Sequence, residues 1–231
     1  MNGRVHPDCG KTRGAWCALI LAFVCAAGAP VRAKDADPSA TAHRGAGSDT
    51  IIDSRRTLVA ERQAAIARGF PPSIVNRQAL VAVTYLGFDG RIHRGQLLID
   101  GRLANDIKVV FDEMLSRRFP VGAVVPISQF GWDDARSMKE NNTSGFNYRK
   151  IKGTSRISNH AFGQAIDINP VQNPYINGRH VSPPGARYDP TEPGTLTAHS
   201  PLVKLFKARG WRWGGDWTSV KDYQHFEKVL R

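Results

Sequence analysis

Cysteine is missing from the chain beyond residue 33. All three cysteines lie within the first 33 residues, at Cys9, Cys17 and Cys25. A protein that has lost this segment can form no disulfide and has no cysteine nucleophile or thiolate metal ligand. A metal site in the rest of the chain must therefore use His, Asp and Glu, a donor set typical of zinc sites with an open coordination position.

The first 33 residues have the pattern of a secretory signal peptide. Residues 15–29 form an uncharged apolar run, and residues 31–33 supply the small side chains that a signal peptidase recognises. The run is short for a transmembrane helix, although an uncleaved anchor is an alternative. Attachment of a lipid at Cys25 is disfavoured because Val24 precedes it, where a small residue is required. The basic residues before the apolar run are Arg4, Lys11 and Arg13.

Acidic residues are outnumbered in this chain, with 20 Asp and Glu against 32 Lys and Arg. Residues 1–33 hold four basic and one acidic residue, so their removal lowers the formal charge from +12 to +9. This charge fits an ordinary soluble basic domain, but it also favours attraction to a polyanion. Because the leader predicts export and no nucleic-acid-binding motif is recognisable, an anionic cell-wall polymer fits better than nucleic acid.

The composition also predicts how the chain is divided. Small, polar residues with proline and glycine fill positions 34–50, which predicts a disordered linker. Residues 51–231 are enough for one domain, and no internal repeat is present. Strand and helix patterns are mixed there without a regular βαβ alternation, which predicts an α+β fold.

Hydrophobic periodicity and turn residues predict the secondary structure. Residues 79–86 and 92–99 have the pattern of two strands, joined into a hairpin by a turn at 88–91. Residues 105–118 carry an apolar stripe at helical spacing. The other predicted helices cover 51–69, 200–209 and a stretch through Met138 with Asp133 or Asp134 as its N-cap. The other predicted strands cover 123–127, 165–168 and 223–229.

Two motifs bring together the residue types of a metal-dependent hydrolase. Residues 158–167 read Ser-Asn-His-Ala-Phe-Gly-Gln-Ala-Ile-Asp, and residues 222–225 read Asp-Tyr-Gln-His. A catalytic zinc site needs three side-chain ligands, a fourth position for water and a nearby base. The candidates are two imidazoles and two carboxylates, at His160, Asp167, Asp222 and His225.

These motifs resemble those of the zinc D-alanyl-D-alanine carboxypeptidase family, which includes vancomycin-resistance dipeptidases and carboxypeptidases and phage L-alanyl-D-glutamate endolysins. The family pattern is Ser-x-His-x-x-Gly-x-Ala-x-Asp, followed by Glu or Asp three residues before a His, and every fixed position is filled here. The resemblance covers about 79–230 and implies a hedgehog/DD-peptidase-like fold with helices beside a small antiparallel sheet. It implies one zinc ion per chain, bound by His160, Asp167 and His225.

The resemblance also implies that Asp222 is the general base, which activates water and later protonates the leaving amine. Residues three apart on a regular strand face opposite sides, so Asp222 and His225 could not both face the metal on one straight strand. A bend or bulge near Tyr223 is therefore expected, as is common beside active sites.

Further residues are candidates for substrate binding. Arg149 is the arginine that best matches the family's upstream arginine, with Arg156 as a rival, and it would hold a substrate carboxylate or the oxyanion. Ser158 would bind substrate or orient the His160 loop. The resemblance favours Trp217 near the site and Trp213 in the core, although both could be ordinary core aromatics.

Together these features predict an exported zinc metallopeptidase, located in the periplasm, outside the cell or in the cell wall. It would hydrolyse peptidoglycan stem peptides, either as a D-alanyl-D-alanine carboxypeptidase or as an L-alanyl-D-glutamate or D,D-endopeptidase. Residues 170–200 would shape its groove. The expected partner is peptidoglycan, with no nucleic acid, no membrane contact after leader cleavage and a monomeric state. The alternatives are a catalytically silent zinc module that binds cell wall and a basic wall-binding protein without metal.

Overall fold

A computed structural model describes residues 50–230. The predicted signal peptide at 1–33 and the predicted linker, except its last residue, lie outside the described residues. In the part that is described, no helix is long and apolar enough to cross a membrane.

Helices and strands are mixed along the described chain, and the predicted α+β class is confirmed. The α-helices are α1 (Leu58–Ala67), α2 (Pro72–Val75), α3 (Ala104–Ser116), α4 (Asp134–Lys139) and α5 (Pro201–Ala208). The strands are β1 (Ile51–Ile52), β2 (Gln78–Gly87), β3 (Ile92–Asp100), β4 (Pro120–Val121), β5 (Ala165–Asp167), β6 (Tyr175–Asn177), β7 (His180–Ser182), β8 (Arg212–Trp213), β9 (Lys221–Asp222) and β10 (His225–Glu227). Short 3-10 helices cover Gly101–Leu103, Ile127–Phe130, Asn159–Phe162 and Gly214–Asp216.

The largest sheet has the strand order β1-β3-β2-β4 and is built on the predicted hairpin. β2 and β3 are antiparallel, with a register from Gln78↔Asp100 to Leu86↔Ile92. Helix α3 covers this sheet and confirms the predicted helix at 105–118. Its stripe of fully or almost fully buried side chains is Ile107, Val110, Phe111 and Met114.

The helix predicted over 51–69 is wrong at its start. Ile51 and Ile52 instead form β1, which pairs in parallel with β3, and the helix begins only at Leu58. The β-branched isoleucines favour a strand. Thr57 is the N-cap and sets the start of the helix, because its hydroxyl accepts a hydrogen bond from the backbone N–H of Ala60.

The strand predicted over 123–127 is also wrong. Ala123 forms only an isolated bridge with Asn142, and Val124 contributes one carbonyl that accepts from the backbone of Gln96. Pro126 has no N–H to donate to a ladder, and a 3-10 helix begins directly after it at Ile127. The apolar side chains of this segment are buried, but the backbone does not continue as a strand.

Two smaller antiparallel sheets carry the candidate site. One has the order β5-β10-β8 and the other the order β7-β6-β9. The strand predicted at 223–229 is shorter than expected, because the chain bends at Tyr223 and Gln224 between β9 and β10. The expected bend is therefore present, and it places Asp222 and His225 in different sheets.

Helix α5 packs against the β5-β10-β8 sheet and confirms the helix predicted at 200–209. The ring of Phe206 on α5 stacks on that of Phe226 on β10 with 4.0 Å between their centroids. Trp213 of β8 belongs to the same buried cluster, as expected for a core residue. The sheet that carries His225 is thus fixed from behind by aromatic packing.

Candidate metal centre and active site

His160 lies on a 3-10 helix that the motif itself positions. The Ser158 hydroxyl accepts a hydrogen bond from the backbone N–H of His160 and so caps this turn. The turn ends at Gly163, whose φ of 65° lies in the left-handed region. A Cβ atom at Gly163 would come within 2.0 Å of the Gln78 side-chain oxygen on β2. Glycine is therefore required both for the turn and for its close docking on the large sheet.

Asp167 and His225 are brought together by strand register. They are direct partners in the antiparallel pair of β5 and β10, so their side chains lie on one face. On its other edge Asp167 exchanges two backbone hydrogen bonds with Ser144, of 2.9 and 3.0 Å. The next residue, Gly145, accepts a 2.6 Å hydrogen bond from Nδ1 of His160 through its carbonyl. The three predicted ligands are thus held by neighbouring segments.

The three ligand atoms form a tight, buried triangle. Nε2 of His160 lies 3.1 Å from Nδ1 of His225 and 3.2 Å from Oδ1 of Asp167, and the last two atoms are 3.0 Å apart. Bonds of about 2.0–2.1 Å to a tetrahedral zinc ion put neighbouring ligand atoms about 3.3 Å apart. The donor set and its spacing therefore fit a metal ion, and the structure brings together all three predicted ligands.

The electrostatics of this triangle favour a positive charge at its centre. Burial opposes ionisation of Asp167, but the two histidines outweigh it and hold the pKa of its carboxyl well below the usual range. Burial also lowers the pKa of His225, yet hydrogen bonds to Asp167 and Glu227 raise it to about 10. A site that stabilises an extra proton so strongly is also suited to a metal cation in the same place.

Asp222 shares the electrostatic environment of this triangle. Burial is the main cause that raises the pKa of its carboxyl to about 6, and the charge of Asp167 adds to it, while His225 acts in the opposite direction. Its Oδ1 atom is buried and has no hydrogen-bond partner among the described residues. A buried carboxylate oxygen without a partner is costly unless a further group, such as a water molecule, occupies the site.

The residues predicted to bind substrate differ in their surroundings. The Trp217 ring is half-buried, and its centroid lies 5.4 Å from that of His225, one of the three predicted ligands. Ser158 is buried as a cap of the His160 turn, which favours the orienting role over substrate contact. Arg149 forms a 2.9 Å ion pair with Asp134, and its rival Arg156 is exposed on the loop that follows.

The segment expected to shape a groove includes a hairpin next to Asp222. Strand β6 pairs with both β7 and β9, with Tyr175 directly opposite Asp222. The ring of Tyr188 also stacks on that of Tyr223 at a centroid distance of 3.6 Å. The hairpin and this aromatic pair therefore border the bend between β9 and β10.

Glu227 is a residue of the site that the motifs did not indicate. It is buried two positions after His225 and accepts a hydrogen bond from the Nε2 atom of that residue. This hydrogen bond is the largest cause that lowers the pKa of Glu227 to about 2. The spacing was a usable signal, because alternate residues of a strand share a face.

The comparison with known proteins agrees with this geometry. Residues 152–228 match the family model described as D-alanyl-D-alanine carboxypeptidase, whereas no solved structure matches the chain. The matched segment is narrower than the resemblance over 79–230 and leaves Arg149 just outside. It includes His160, Asp167, Asp222 and His225, and it confirms that the chain resembles a peptidase of the zinc D-alanyl-D-alanine carboxypeptidase family.

Proposed function

We propose that this protein is an exported zinc-dependent peptidase that hydrolyses peptidoglycan stem peptides. The observation that carries the proposal is the buried triangle of two imidazole nitrogens and one carboxylate oxygen, together with the nearby carboxylate of Asp222, whose Oδ1 atom is buried and has no hydrogen-bond partner among the described residues. The family match over the same residues supports a peptidase that acts on substrates of the D-Ala-D-Ala type.

The metal would be held by His160, Asp167 and His225. Two neutral imidazoles and one carboxylate leave a single positive charge on a divalent ion, which suits an ion that must attract a carbonyl oxygen. When bound, zinc supplies Lewis-acid polarisation of that carbonyl and lowers the pKa of water toward about 7. The chain has no cysteine beyond residue 33, so no thiolate competes for this role.

Asp222 would carry the proton. Its Oδ1 atom has no hydrogen-bond partner in the described part of the chain and can accept a hydrogen bond from the attacking water, taking the proton as the water adds to the scissile carbonyl. The protonated carboxyl would then give that proton to the departing amine nitrogen, which returns Asp222 to its ionised form. Among the described residues, the three ligand atoms that converge belong to His160, Asp167 and His225, so Asp222 is free to act without being a ligand.

The substrate would lie between Trp217 and the bend at Tyr223. The Trp217 ring offers an apolar wall next to His225. Arg149 would have to exchange its contact with Asp134 for one with a substrate carboxylate or oxyanion, since its guanidinium is ion-paired in this structure. Terminal D-Ala-D-Ala bonds, L-Ala-D-Glu bonds and D,D cross-links are the candidate targets.

Export is proposed from residues 1–33 alone. Cleavage after Ala33 would give a mature N-terminus at Lys34 and a protein without thiols. Sequencing of the N-terminus from an extracytoplasmic fraction tests this. Recovery of the full-length chain from that fraction would contradict it.

Metal analysis combined with mass spectrometry of digested muropeptides tests the function. The purified protein should hold about one zinc ion per chain, and the mass released from purified peptidoglycan should identify the cleaved bond. His160→Ala and His225→Ala should each lose most of the metal and the activity, whereas the exposed Asp112→Asn should change neither. Zinc binding without hydrolysis of any stem peptide would support the silent wall-binding module instead, and absence of zinc would reject both.

A further inference from the structure

Glu227 contacts both segments that carry the histidine ligands. Its side chain is only 10% exposed, and its two oxygens accept hydrogen bonds from three donors. Oε2 accepts from Nε2 of His225, at 3.4 Å, and from the side-chain amide of Asn159. Oε1 accepts from the guanidinium of Arg212 at 2.5 Å. Asn159 directly precedes His160, so a single carboxylate joins the His160 turn to strand β10.

The contact with Glu227 decides which nitrogen of His225 can bind metal. A neutral imidazole has one N–H and one lone pair, and donation from Nε2 to Glu227 leaves the lone pair on Nδ1. Nδ1 is the atom that faces Asp167 and His160 at 3.0 and 3.1 Å. His160 uses its two nitrogens in the opposite way: Nδ1 donates to the Gly145 carbonyl, and Nε2 faces the other two ligand atoms.

The two histidines are therefore held by different types of group, one from the backbone and one from a side chain. The Gly145 carbonyl belongs to the backbone and holds His160 alone, whereas the Glu227 carboxylate is a side chain that mutation can remove. Glu227 also holds Asn159 through the same oxygen that contacts His225. Loss of this carboxylate would free the His225 ring to rotate or change tautomer and would release the His160 turn from β10.

We propose that Glu227 is a positioning residue for the metal centre, which fixes the tautomer of His225 and sets the distance between the two histidine ligands. This inference rests on the proposed zinc site. Glu227 is assigned no contact with substrate, so a change at Glu227 should alter activity only through metal binding. Arg212, with its side chain 70% exposed, pairs with the opposite oxygen and is not required for the His225 contact.

The test is zinc affinity, measured by competition with a chromogenic chelator in three variants. Glu227→Ala should weaken zinc binding by about 10–100-fold, which is the usual effect of removing a residue that orients a metal ligand. Glu227→Gln keeps the volume and one acceptor oxygen and should recover part of the affinity. Arg212→Ala keeps the carboxylate and should bind zinc nearly as tightly as the wild type.

Two further readouts separate positioning from a merely structural role. Cobalt-substituted Glu227→Gln should show an altered visible absorption spectrum, because the geometry around the ion changes, and Arg212→Ala should not. The melting temperature of the metal-free proteins gives the structural contribution. A drop in that temperature with unchanged zinc affinity in both Glu227 variants would overturn the inference, and so would an equal loss of affinity in Arg212→Ala.

Zinc binding by the wild type and by Glu227→Ala separates a wrong role for Glu227 from a wrong proposed function. If the wild-type protein binds no zinc, the proposed function itself is wrong and Glu227 has no metal centre to position. If the wild type binds zinc and Glu227→Ala binds it equally well, only the role of Glu227 is rejected.

Discussion

At the scale of single residues, the two carboxylates of the motifs have different environments and should respond differently to mutation. Asp167 lies in direct contact with both histidines, whereas Asp222 has a buried oxygen that finds no hydrogen-bond partner within residues 50–230. Asp222→Asn should keep zinc, because three ligands remain, but lower turnover by about 100-fold or more. Zinc content and peptide hydrolysis measured on the same preparation check this.

Asp167→Asn should behave differently from Asp222→Asn, because it removes the only anionic ligand. Zinc affinity and activity should fall together, while Asp112→Asn on the exposed face of α3 provides the matched control. If Asp222→Asn also loses its zinc, Asp222 is a ligand and the proton must pass through another group. Full activity of Asp222→Asn would reject its role as the base.

The sequence predicted the residues of the proposed metal centre better than it predicted the groups that hold those residues in place. His160, Asp167 and His225 belong to a spaced pattern, and the register of β5 and β10 then places two of them opposite each other. The hydrogen bond from His160 to Gly145 was not predictable, because it goes to a backbone carbonyl that any residue type would offer. Glu227 could have been found from its spacing to His225, whereas its contact with Asn159 depends on the packing of distant segments.

At the scale of elements, the turn that ends at Gly163 should tolerate no side chain. Gly163→Ala should destabilise the fold by about 1–3 kcal/mol and lower zinc occupancy, since the Cβ would meet Gln78 and displace the His160 turn. Gly131 is a matched control, because it has a similar φ of 68° but open space around a Cβ atom. Gly131→Ala should cost only the backbone strain and leave zinc binding intact, as urea unfolding and metal analysis can verify.

A second feature at this scale is a hydrogen-bonded cluster that joins the residue directly after β1 to strands β2 and β3 of the same sheet. His93 on β3 lies between two carboxylates, 3.0 Å from Asp53 and 3.1 Å from Asp89, and the Tyr85 hydroxyl also donates to Asp53. Burial lowers the pKa of His93, but the hydrogen bonds to both carboxylates outweigh it and leave the pKa raised. The charged imidazole is therefore more stable in the folded protein than in the unfolded chain.

The raised pKa of His93 predicts a pH dependence of stability. Its contribution is fully present below the unfolded pKa of about 6.5 and is lost as the pH rises through the higher folded value. The free energy of unfolding should therefore decline on the alkaline side of pH 6.5 in the wild type. His93→Gln should be less stable at pH 6 and should show a smaller decline than the wild type, because His225, whose pKa is raised to about 10, still contributes. Parallel pH profiles of the two proteins would show that another group is responsible.

The elements with strong periodicity were the ones that the sequence predicted well. The hairpin of β2 and β3, helix α3 and helix α5 all have regular apolar patterns, and most of their buried apolar side chains belong to one hydrophobic cluster. The errors at 51–69 and 123–127 arose where a single residue, Thr57 or Pro126, overrode the apolar pattern of its neighbours. Pairing between distant short strands, such as β1 with β3, leaves no local pattern to read.

At the scale of the whole molecule, a single carboxylate links the helix on the large sheet to the sheet that carries His225. Asp106, in the first turn of α3, accepts hydrogen bonds from the Arg209 guanidinium, from the Trp211 indole and from the Lys228 ammonium group. Arg209 ends α5, and Lys228 directly follows β10. Asp106 therefore connects α3, α5 and the end of β10 over more than 100 positions of sequence separation.

Asp106→Asn should destabilise the whole protein by about 2–3 kcal/mol, because it removes a charge that three buried or half-buried donors share. Burial raises the pKa of Asp106, but the hydrogen bonds from Lys228, Trp211 and Arg209 outweigh it and leave the pKa lowered. Its stabilising effect is thus present above about pH 3.9 and is lost as the pH falls through the folded value. Urea unfolding measures this free energy. At pH 7 Asp106→Asn should be much less stable than the wild type, and at pH 3 the difference should be smaller. Asp112→Asn on the same helix is the control. Among the described residues, the side chain of Asp106 contacts Arg209, Trp211 and Lys228 and none of the three proposed metal ligands, so the folded variant should keep its zinc. A loss of zinc in a fully folded Asp106→Asn would show that the link between α3 and the end of β10 also sets the geometry of the metal centre.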